Sequence, residues 1–111
     1  MCYTKIIISN DKMSKFKKIQ EIRIEIDKID SQIIDLISAR KDLVTNVVKF
    51  KEKNQIIDQK RIDEILKRLD VEAKKKNVSR KLVKDIWSTM INSFIAYEEE
   101  IFEESRNKKT D

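Results

Sequence analysis

Neither glycine nor proline occurs at any of the 111 positions of the chain, and this double absence removes most of fold space. Tight hairpins need residues at positive φ, which glycine supplies, and sharp loops are commonly set by proline. An all-α protein is expected, built of helices whose ends are closed by side-chain caps. The same absence excludes glycine-rich phosphate cradles, both the P-loop and the dinucleotide-binding fingerprint. At this length one domain is expected, with room for a single core or a share of one.

Histidine is also absent and Cys2 is the one cysteine. Histidine general-base chemistry, a Cys/His dyad and the usual zinc ligand sets therefore cannot be assembled, and neither a metal nor a cofactor is expected. No apolar run approaches 18 residues, so the chain reads as a soluble cytoplasmic protein without a membrane partner. Residues 1–14 read as a flexible extension, with Met13 as a candidate natural start; 15–104 form the helical domain and 105–111 a polar, disordered tail. Net charge is +5, from 25 Lys and Arg against 20 Asp and Glu. That favours an anionic partner. The basic residues are dispersed among acidic ones, which argues against nucleic acid.

Three helices are expected. From Lys15 to about Lys53, apolar residues recur at Ile19, Ile22, Ile26, Ile29, Ile33, Leu36, Leu43, Val47 and Phe50, in steps of three and four, with Arg40 in one of the slots. A second helix starts with Asp58 as N-cap and runs to the Lys74-Lys75-Lys76-Asn77 stretch, where Asn77 is the one C-cap candidate. A third starts at Ser79, with Val78 and Val83 placed for a hydrophobic staple. Its Trp87, Met90 and Phe94 read as core packing.

Helix length then bears on assembly. Residues 16–53 would span roughly 55 Å as a helix, whereas a globule of about 100 residues has a radius of gyration near 13 Å and a diameter of about 35 Å. One chain cannot cover such a stripe, so an intertwined homodimer is expected.

Charged residues interrupt the apolar faces. Arg40 lies in mid-stripe; Arg23 and Lys51 border the same face; Glu98 occupies the inner face of the last helix; Arg61 sits in the first turn of the second. Each has a plain structural reading. Arg23 can snorkel, Lys51 can complement a helix C-terminus, Glu98 can pair internally with Arg40 or Lys51, and Arg61 can balance Asp58 or Asp63. For Arg40 two readings stand level: a polar residue that fixes register, or a binder of anions. Together these residues leave an excess of inward positive charge that a small polyanion would neutralise. Arg23 and Arg40 are about 25 Å apart along one helix, so they converge only if Arg23 comes from a partner chain.

The run Ile22-Arg23-Ile24-Glu25-Ile26-Asp27-Lys28-Ile29-Asp30, then Ile33-Ile34-Asp35-Leu36-Ile37-Ser38-Ala39-Arg40 and Val47-Val48-Lys49-Phe50-Lys51, resembles the first helix of the all-helical (AroQ-class) chorismate mutases. The resemblance continues through Asp58 and Arg61 to Glu98, over residues 19–102. It implies an entwined dimer of three-helix chains and an isomerase that rearranges chorismate to prephenate in aromatic amino-acid biosynthesis without a cofactor. The substrate is a dicarboxylate with an enol-ether oxygen. The resemblance implies that Arg40 holds one carboxylate and Arg23 of the other subunit the second. Lys51 would donate to the ether oxygen and a carboxylate, Arg61 would steady the polar network, and Phe94 and Ile95 would wall the pocket.

Two positions depart from the family pattern. Many members carry glutamine at the position of Glu98; a carboxyl donates a hydrogen bond only when protonated, so an activity favouring mildly acid pH is expected. Most mutases carry glutamate at the position of Ile62, where it contacts the ring hydroxyl. The related isochorismate-pyruvate lyases, which form salicylate and pyruvate in siderophore pathways, carry an aliphatic residue there, and Phe94-Ile95-Ala96 also resembles that subgroup, whereas Asp58 fits the mutases. Mutase activity is expected first and lyase activity second. A non-catalytic dimeric helical protein binding nucleic acid is the third reading; it requires cations facing outward along ridges.

Overall fold

The computed structural model describes residues 2–110, and side chains from 12 to 107. Among them there are three α-helices, α1 (Cys2–Val48), α2 (Gln59–Lys75) and α3 (Arg80–Thr110), with a short 3₁₀ turn (Lys53–Gln55) between the first two. The three-helix, all-α expectation holds. The helix assignments run without a break through residues 14 and 105, the edges expected for the extension and the tail.

The first helix ends earlier than its periodicity suggested, at Val48 and not near Lys53. The N–H groups of Lys49, Phe50 and Lys51 each turn back to the carbonyl three residues earlier, at 3.1–3.2 Å, the tightening by which a helix closes its last turn. Val48 is the last buried residue of α1 and Phe50 is left 81% exposed. The apolar series therefore outlasts the helix. In the connection, the Glu52 N–H donates to Gln55 Oε1 at 2.7 Å.

Side chains supply the remaining corners, as a chain without glycine requires. Asp58 Oδ1 accepts from the Arg61 N–H at 3.0 Å, capping α2, and Ser79 Oγ accepts from the Leu82 N–H at 3.2 Å, capping α3. Between them Asn77 takes the left-handed conformation, φ 55°. Around it Val78 N–H reaches the Ala73 carbonyl at 2.9 Å and Asn77 N–H that of Lys74 at 3.2 Å. These are the two bonds of a Schellman C-cap, and asparagine is the residue after glycine that best tolerates that backbone. Across the corner, Arg80 donates to both carboxylate oxygens of Asp70 at 2.7 Å, tying the start of α3 to α2.

The chain divides into two units, residues 1–39 and 40–111. In the first, the apolar stripe of α1 is solvent-facing, with Ile19, Ile22, Ile26, Ile29, Ile33 and Leu36 all exposed. The second unit holds the last turns of α1 together with α2 and α3. Its core is small: Val48, Ile56, Ile65, Ala73 and Ile91 are the buried apolar residues, and among the described residues no large side chain is fully enclosed.

Candidate active site

Within the second unit, α1 contributes Arg40, Leu43, Val44 and Val47 at successive turns, spacings that put them on one helix face. α3 faces them with Ile91, Phe94, Ile95 and Glu98, again steps of three and four. α2 closes the third side with Arg61, Ile62 and Ile65. Together with Lys51, Ile56 and Asp58 from the connection, these residues line an open-sided cavity of about 410 Å³, large enough for a small metabolite. Its walls are mostly aliphatic and its polar groups few and charged.

Seven of the eight residues singled out from sequence line this cavity: Arg40, Lys51, Asp58, Arg61, Ile62, Phe94 and Glu98, and the expected wall residue Ile95 is there too. The eighth, Arg23, is exposed on the first unit and makes no ion pair among the described residues. The plain readings sort themselves. Glu98, 7% exposed, pairs with Lys51, whose Nζ donates to Glu98 Oε1 at 3.0 Å, and not with Arg40. Arg61 makes no ion pair with Asp58 or Asp63; what Asp58 holds is the Arg61 main chain. Capping and cavity lining thus fall on the same aspartate.

Arg40 is left without a carboxylate. One terminal nitrogen of its guanidinium, Nη1, is buried with no hydrogen-bond partner among the described residues. The guanidinium carbon stands 4.3 Å from the centroid of the Phe94 ring, a cation–π contact worth about 0.5–2 kcal/mol. A buried unsatisfied donor costs about 1–3 kcal/mol, more when charged, an amount comparable to what the ring returns. Removal from water lowers the Arg40 pKa below its ordinary value; Glu98 opposes this shift and the neighbouring Arg61 adds to it. Three cations and two carboxylates thus meet at the cavity, one carboxylate spent on Lys51 and the other on a helix cap. The surplus positive charge is focused on Arg40 and Arg61.

The model of one protein family, chorismate mutase type II, matches residues 22–99. The chain belongs to the chorismate mutase type II family. The match takes in the first helix from the Ile22-Arg23 pair and ends one residue past Glu98, so the whole cavity lining falls inside it. No curated protein and no solved structure matches the chain. A mutase-type activity is thus supported at the level of the family. No helix among the described residues is long and apolar enough to cross a membrane, and no group of three or more Cys, Asp or Glu among them could hold a metal ion.

Sequence reasoning did not single out Leu43, Val44, Ile65 and Ile91 as lining, though the three-and-four spacing with Arg40, Ile62 and Glu98 is the signal that marks them. It also missed the Arg40–Phe94 stack, because a spacing pattern puts two residues on facing helices without saying which side chains touch.

Proposed function

We propose that the protein is a chorismate mutase, carrying out the intramolecular rearrangement of chorismate to prephenate, in which the ether C–O bond breaks as a C–C bond forms and no proton changes hands. The observation that carries this reading is the buried, unpartnered Arg40 nitrogen beside surplus positive charge in an otherwise greasy cavity. Such a group is suited to a carboxylate, which a guanidinium takes by two parallel hydrogen bonds. Lys51, already held by Glu98, would donate to the ether oxygen as negative charge develops there, and donors fixed before the reaction need no reorganisation during it. Holding a flexible substrate in its compact conformer supplies the rest.

The active species in this proposal is a homodimer, with Arg23 of each subunit completing the site of the other. Supporting it are the exposed stripe from Ile19 to Leu36, and Leu43 and Phe50 at 71% and 81% exposure, a quantity of apolar surface that a lone chain would leave in water. A second reading, isochorismate-pyruvate lyase, is favoured by one residue. Ile62 lines the cavity, and an aliphatic side chain cannot accept a hydrogen bond from the ring hydroxyl of chorismate.

Separate assays with chorismate and isochorismate test both readings. Prephenate from chorismate is expected; salicylate plus pyruvate from isochorismate, with little prephenate, would install the lyase reading. Turnover of neither, together with salt-sensitive DNA binding, would overturn both.

A further inference from the structure

Arg40 has no hydrogen bond to fix its most buried nitrogen, yet a guanidinium that grips a carboxylate must present its edge in one plane. What stands beside it instead is an aromatic ring. The Phe94 ring lies under Arg40 at 4.3 Å. Phe94 in turn meets Tyr97, one turn further along α3, edge to face, with centroids 6.4 Å apart and planes at 88°. The Tyr97 hydroxyl shares a hydrogen bond with Thr45 Oγ1 at 3.2 Å, so the tyrosine is pinned back to α1, five residues beyond Arg40. Two residues of α1 and two of α3 thereby close a ring of contacts: Arg40 on Phe94, Phe94 on Tyr97, Tyr97 on Thr45.

We infer that Phe94 is a positioning residue for Arg40, and that Tyr97, anchored by Thr45, is the positioning residue for Phe94. A ring face occupies one face of the guanidinium and leaves its in-plane N–H groups for a ligand, which an ion pair from the protein would instead consume. The edge-to-face neighbour stops the Phe94 ring from turning, and the Thr45 bond stops the tyrosine from swinging out. The inference rests on the reading of Arg40 as the carboxylate binder, and it assigns work to Tyr97 and Thr45, neither of which needs to touch substrate.

The test uses Phe94→Leu, Phe94→Tyr, Tyr97→Leu and Tyr97→Phe in the full chain, with two readouts. In kinetics, Phe94→Leu is expected to raise KM for the turned-over substrate about five- to tenfold with kcat changed less than about twofold; Phe94→Tyr restores most of the loss, and Tyr97→Phe raises KM about twofold. In NMR without substrate, the Arg40 Nε–H proton, assigned by its disappearance in Arg40→Met, is expected upfield in the native protein and in Phe94→Tyr, where a ring face shields it. In Phe94→Leu and Tyr97→Leu it should move downfield. A resonance unmoved in Phe94→Leu, or a KM within twofold of native in Phe94→Leu with its thermal melt intact, overturns the inference. If the resonance moves as expected while neither chorismate nor isochorismate reacts, the positioning stands and the substrate reading falls.

Discussion

Replacing Arg40 by methionine separates the two roles open to a mid-stripe arginine. Methionine keeps the unbranched stem and its packing while removing the charge. In the native protein the guanidinium carries an orphaned buried donor, a penalty of about 1–3 kcal/mol, offset by about 0.5–2 kcal/mol from the Phe94 face; the influences of Glu98 and Arg61 on its charge oppose each other. Arg40→Met is therefore expected to leave stability unchanged or raise it by up to about 1 kcal/mol, which for a domain of this size is a Tm increase of about 4–8 °C. If Arg40 binds a carboxylate by two charge-assisted bonds of about 1.5–3 kcal/mol each, kcat/KM should fall by a factor of about 10² to 10⁴. Denaturant unfolding at fixed protein concentration gives the first quantity, and loss of the enol-ether chromophore of chorismate gives the second. An arginine that fixes register would lose both together. A destabilisation beyond about 1 kcal/mol, or a kcat/KM within threefold of the native value, would refute the reasoning.

Glu98→Leu removes the acceptor that holds Lys51 Nζ at 3.0 Å, so kcat/KM is expected to fall by about a factor of ten, whereas Glu98→Gln keeps an oxygen in place and should retain most of the activity; a leucine variant as active as the native protein would count against Lys51 being held by this bond. Asp58→Ala removes the α2 cap and should lower stability by about 1 kcal/mol, with Asp58→Asn close to native because asparagine caps equally well. Equal losses in the two would mean that the charge, not the cap, is what matters. Asp70, held below the ordinary carboxylate pKa chiefly by its hydrogen bonds from Arg80, contributes stability that is present above the unfolded-state pKa and lost as pH falls through the folded one. Asp70→Asn should accordingly shift the urea midpoint down at neutral pH by a small, salt-sensitive amount, and the difference from the native protein should vanish in acid.

Capping chemistry made the corners of this fold legible before any coordinates. Asp58, Asn77 and Ser79 are the polar residues able to close helix ends beside the periodic runs, and each does so. The gathering of Arg40, Lys51, Arg61 and Glu98 was legible for a related reason: each breaks an apolar face, and inward faces of a small bundle must meet. The end of α1 was not, because Phe50 continues the periodicity while the backbone has already turned at Val48 to bring Lys51 to Glu98. Nor was the choice of partner for Glu98 legible, since Arg40 and Lys51 are both within a turn or two of facing it and only side-chain direction decides between them.

The corner at Asn77 has a consequence for the denatured chain. A protein with no glycine anywhere has a stiffer, less varied unfolded ensemble than one of ordinary composition, so less backbone freedom is surrendered when the turns close. Among the described residues, the compensating strain is concentrated at Asn77 in its left-handed pose. A single change to glycine there would relax that pose but loosen the unfolded chain at the same spot, so the two effects on stability oppose each other.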